Sequence, residues 1–165
     1  MKTLHRILQN TPSWLLFIVL LFPFVIATNA PVGLSLASFI IILWLWLVGI
    51  SLKQKAALVK HLSLKWFNIS LLYAFCYIVT IEVVFKNNLP KLIIPFHLLA
   101  VFCLLSALYF VAKLLVISEE KKSVKANRCF GTFLLFWFFP IGIWFVHPRI
   151  KKVIGGTSGT SGTSA

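Results

Sequence analysis

A chain of 165 residues that is 60% hydrophobic and only 12% charged carries more apolar surface than a soluble domain can hide, since about a quarter of the residues in such a domain are charged. A bilayer removes the excess, because lipid solvates the outside of a helical bundle. The net charge of +13, from 16 basic and 3 acidic residues, would point to nucleic acid in a soluble protein; here the basic residues flank apolar runs and are expected to face the anionic headgroups of a lipid bilayer, with no nucleic-acid partner.

The first apolar run covers residues 13–29 and is introduced by Thr11-Pro12-Ser13, which places proline where a helix begins. Lys2, Arg6 and the small-residue pattern Thr28-Asn29-Ala30 imitate a secretory signal, but Pro31 would follow the cut, so this run is expected to remain as a span. A short uncharged turn leads to the second run, 34–52. A basic stretch follows, Lys53 to Lys65, then the third run, 66–85. The polar turn 86–91 separates it from the fourth, 92–117, which at ~1.5 Å per residue exceeds the ~30 Å hydrocarbon core and should tilt or protrude. Residues 118–128 are the most charged, and 129–146 are apolar again. Residues 155–165, GGTSGTSGTSA, resemble an appended flexible linker and are set aside from the single helical domain, 1–154. The expected fold is all-α: a polytopic transmembrane helical bundle with four clear spans and a C-terminal segment that is kinked, re-entrant or a fifth span.

Lysine and arginine near helix ends orient such a chain. With the N-terminus inside, the cytoplasmic loops hold Lys2, Arg6, Lys53, Lys55, Lys60, Lys65, Lys121, Lys122, Lys125 and Arg128, ten in all, and the far-side turns hold only Lys86 and Lys91. Lys113, near the cytoplasmic end of the fourth run, can snorkel to the interface. The final segment decides where Arg149, Lys151 and Lys152 lie. Pro140 and Gly142 stand in its middle, and both oppose a continuous helix. The segment is therefore expected to bend at 140–142 and to return these cations to the cytoplasmic surface, with Pro140, Gly142 and Trp144 as its structural or gating residues. Lys53, Lys55, Lys121, Lys122, Lys125, Arg128 and Arg149 are the expected headgroup-facing set.

The stretch Phe138-Phe139-Pro140-Ile141-Gly142-Ile143-Trp144, followed by Pro148-Arg149-Ile150, resembles a C-terminal pattern of small uncharacterised membrane proteins from Bacteroidetes-type bacteria. The resemblance covers about a dozen residues. It implies a bacterial inner-membrane protein and no particular activity.

Ionisable groups inside a membrane are costly and are functional candidates by default. Glu82 and His97 stand equally far from the turn between the third and fourth runs, so an antiparallel hairpin puts them at similar depth. They form an intramembrane polar pair, or Glu82 pairs instead with Lys86 at i+4. Two such groups fall short of the three or four ligands of a metal site, and no cofactor is expected. His147, beside Pro148, is expected at the interface. Cys76, Cys103 and Cys129 include no CxxC, so no zinc-ribbon or thioredoxin-like motif is present. The chain has no aspartate, which excludes paired-aspartate proteolysis, and no G-x-S-x-G, H-E-x-x-H or P-loop. Three functions remain: a non-catalytic membrane subunit or scaffold of a larger complex, with a protein partner or a homo-oligomer; a small oligomeric channel or membrane-permeabilising effector; and a lipid-handling enzyme using His97 or Glu82.

Overall fold

The computed structural model describes residues 10–27, 33–55, 63–84, 93–120 and 126–155. Among them are six helices and no strand: α1 (Ser13–Ala27), α2 (Gly33–Lys55), α3 (Leu64–Val84), α4 (Ile93–Glu120), α5 (Ala126–Trp137) and α6 (Phe139–Gly155). Three of these, α2, α3 and α4, are long and apolar enough to cross a membrane. Four clear spans were expected, and the first does not qualify. Helix α1 has 15 residues, a rise of ~22 Å against a core of ~30 Å.

Helices α2 and α3 run antiparallel, since Trp46 meets Asn68 while Phe39 meets Phe75. Helices α3 and α4 do the same, with Phe67 stacked on Phe110 at 4.9 Å and Tyr77 beside His97. In lipid no hydrophobic force draws helices together, so close fit and hydrogen bonds do the work. Gly49 supplies such a fit: a Cβ there would stand 2.7 Å from Cζ of Phe67. The last two helices differ from the spans in being one-sided. Helix α5 buries Cys129, Thr132 and Phe136; α6 buries Ile143, Val146, His147, Ile150 and Ile154. These i, i+3, i+4 spacings define one inward stripe on each helix.

The core lies toward one end of the bundle. The second half of α4 is sealed at Val111, Ala112, Leu114 and Leu115, whereas Ile94, Phe96, Leu98 and Phe102 in its first half are exposed. The reason is the length of the C-terminal pair. Helix α5 climbs only ~18 Å before turning, and Phe136, near its tip, packs on Trp44 at the midpoint of α2. The pair fills one half of the bundle and leaves the other half of α3 and α4 bare.

Candidate functional site

The C-terminal segment is two helices meeting at Phe138, two residues before Pro140. The Phe138 N–H donates to the carbonyl of Leu134 at 2.8 Å, and its own carbonyl accepts from the N–H groups of Ile141 and Gly142 at 3.1 and 2.8 Å. One residue thus closes α5 and opens α6. Pro140 falls in the first turn of α6, where its missing N–H costs nothing. Gly142 permits the helices to touch, because a Cβ at this position would overlap the carbonyl oxygen of Leu135. Trp144 is half exposed and tilts against Phe17 of α1, with ring centroids 5.8 Å apart.

The returning helix is tied to the end of the bundle where α4 finishes. The Arg149 Nε donates to Glu119 Oε1 at 2.8 Å, its Nη2 to the other carboxylate oxygen, and its Nη1 to the Thr132 hydroxyl of α5 at 3.1 Å. This two-point fork is the strong geometry for a guanidinium and a carboxylate. Its hydrogen bonds to Glu119 raise the pKa of Arg149 above its ordinary value, so the guanidinium stays charged. Arg128 makes a looser, more exposed pair with Glu120 at 3.2 Å. Both arginines, expected at the headgroups, are engaged with the two acidic residues that close α4.

His147 is completely buried within the bundle. Its Nε2 lies 2.9 Å from the carbonyl of Thr11; a carbonyl only accepts, so Nε2 carries the hydrogen. Nδ1 then has a lone pair with no partner among the described residues. Burial lowers the pKa of this histidine, the Thr11 bond opposes the shift, and Lys151 adds to it. His147 therefore pins α6 to the start of α1 as a neutral ring. Cys129 is also buried, and loss of solvation pushes its thiol up despite the opposing charge of Lys113, which leaves it a poor nucleophile.

The other sequence-predicted residues are separate from this cluster. His97 is on α4 and exposed. Its Nδ1 shares a 3.1 Å hydrogen bond with the hydroxyl of Tyr77, a residue that sequence reasoning missed. Glu82 stands in the last turn of α3, and its side chain lies outside the described residues. Lys53 is half-buried near the end of α2, and Lys55 is the last residue of that helix. Lys121, Lys122 and Lys125 fall outside the described residues. Among those described, no group of three His, Cys, Asp or Glu side chains could hold a metal ion. The residues that sequence reasoning left unassigned are Glu119, Glu120 and Thr132. Their signal was scarcity: with 3 acids in the whole chain, two adjacent ones near two arginines are natural partners.

Comparison of the chain with models of protein families, with curated proteins and with solved structures returned no match.

Proposed function

We propose that the chain is a non-catalytic integral membrane subunit or scaffold, seated in a bacterial cytoplasmic membrane with its N-terminus inside, and that its C-terminal hairpin docks on a partner helix. The observation that carries this reading is the outer face of the hairpin. Trp137, Phe138, Ile141 and Phe145 are 46 to 68% exposed around the point where the helix breaks. Broken backbone at membrane depth needs cover from protein or a water-filled cavity, and the bundle supplies it on the inner side only. Large aromatic side chains are also the usual anchors of protein interfaces. The orientation rests on the distribution of lysine and arginine, and the bacterial setting on the resemblance of residues 138–150.

A photo-crosslinking residue at Ile141, compared in native membranes with one at the similarly exposed Leu98 of α4, tests the reading. A discrete protein adduct is expected from position 141 and only lipid adducts from position 98. Lipid adducts alone at both positions would remove the support. The oligomeric channel is the second reading, favoured by the half-inserted, broken helix, a form that lines pores and binding sites in other membrane proteins. An adduct between two copies of the chain, with conductance in liposomes, would select it.

A further inference from the structure

Helices α2 and α3 enclose a membrane-facing groove of about 460 Å³ that neither the hairpin nor the core fills. Phe39, Leu43 and Trp46 line one wall, and Asn68, Leu72 and Phe75 the other. Each wall extends over eight residues, ~10 Å at the helical rise, which covers most of one leaflet of a ~30 Å core. The lining is apolar except for one bond at its end, where the Trp46 indole donates to Asn68 Oδ1 at 3.2 Å. With Oδ1 so occupied, the amide NH2 of Asn68 is left as a donor.

Beyond the groove, each helix carries a lysine. Lys65, Asn68, Leu72 and Phe75 follow one another at spacings of three and four, which keeps them on one face of α3. Lys53 stands two turns beyond Trp46 on α2. Lys65 is exposed at the mouth. Glu119 and Glu120 bind the two arginines, and Glu82 belongs to the last turn of α3, at the opposite end of that helix. The groove therefore presents an acyl-chain-shaped apolar channel under a cationic, hydrogen-bond-donating mouth.

We propose that this groove holds one acyl chain of an anionic phospholipid, with the headgroup phosphate received by the Lys65 ammonium and the Asn68 amide. The apolar walls select for length and flexibility, which any phospholipid meets. The charge at the mouth selects the anionic class, because each lysine near the surface favours an acidic headgroup. The occupant stays in the leaflet at the end of the bundle where α2 finishes and α3 begins. This inference is independent of the hairpin's outer face, so either can fail without the other.

Native mass spectrometry of the delipidated full chain, titrated with phosphatidylglycerol or phosphatidylcholine of matched acyl chains, tests it. One phosphatidylglycerol is expected to be retained in preference to phosphatidylcholine. Lys65→Gln should reduce that preference about fivefold with little change in phosphatidylcholine binding. Leu72→Trp fills the groove and should abolish retention of both lipids. Leu43→Trp repeats the block from the opposite wall, and thermal unfolding identifies either variant as folded. Equal retention of the two lipids, retention undiminished in both folded tryptophan variants, or a disulfide-linked dimer through Leu72→Cys that excludes lipid would each overturn the proposal.

Discussion

At the scale of single residues, two glycines with opposite surroundings give a matched test. A methyl group at Gly142 would collide with backbone, whereas Gly131, on the open face of α5, has nothing within 4 Å of where its Cβ would stand. Gly142→Ala is expected to destabilise the protein by about 1–3 kcal/mol, because backbone cannot move aside as a side-chain tip can. Gly131→Ala should be neutral or stabilising by up to ~1 kcal/mol through helix propensity. Thermal unfolding in detergent of both variants measures this, and equal effects would contradict the close packing of α5 on α6. His147 gives a pH dependence of definite sign. Its folded pKa is below its unfolded value, so the unfolded chain binds more protons in the interval between them. The contribution of His147 is intact above pH ~6.5 and is lost as pH falls below it. The wild type should lose melting temperature between pH 7.5 and 5.5, and His147→Gln should lose less. Parallel pH profiles for the two proteins would refute the assignment.

At the scale of elements, the lock between α4 and α6 is the feature that sets the shape. Its side chains are 34 and 26% exposed, between the surface pairs that contribute almost nothing and the buried pairs whose breakage is severe. Arg149→Gln and Glu119→Gln should each cost about 1–2 kcal/mol, discounted for that exposure. The double variant should cost much less than their sum, as a double-mutant cycle would read. A break in this run was legible in advance, because Pro140 and Gly142 each oppose a continuous helix; it falls at Phe138, so that Pro140 sits in the first turn of α6. Its partners were not. Hairpin arithmetic gives the depth of a residue and nothing about its rotation around the helix axis. His97, expected level with Glu82, is bonded to Tyr77, a partner that depth alone does not select.

At the scale of the whole molecule, α2, α3 and α4 are long and apolar enough to cross a membrane, α1 starts beside His147 at the end where α4 finishes, and the C-terminal pair begins and ends there too. The fold predicts that a cysteine at Lys152 and one at Lys65 share an accessible side, with one at Asn88 opposite. In a cysteine-free background, an impermeant maleimide added to either side of sealed vesicles should label the first two together. Labelling of positions 152 and 88 from one side would show that α5 and α6 cross after all. The all-helical class and the clustering of cations at one end could be read from the runs and their flanks, since both are set by bilayer thickness and charge. The uneven core could not, because it follows from how far a twelve-residue helix reaches.

The turn at Phe138 gives the last two helices a freedom denied to the rest. Pulling α2, α3 or α4 out of a bilayer means hauling a charged loop through hydrocarbon, at several kcal/mol for each cation. The hairpin enters and leaves through the same surface, and its charged flanks, Arg128 and Arg149, never leave the end where Glu119 and Glu120 stand. Withdrawing it would carry no cation across the hydrocarbon. The cost would be the exposure of an apolar stripe and the opening of both the Arg149–Glu119 lock and the His147–Thr11 bond, so the hairpin is held at its open end rather than at its tip.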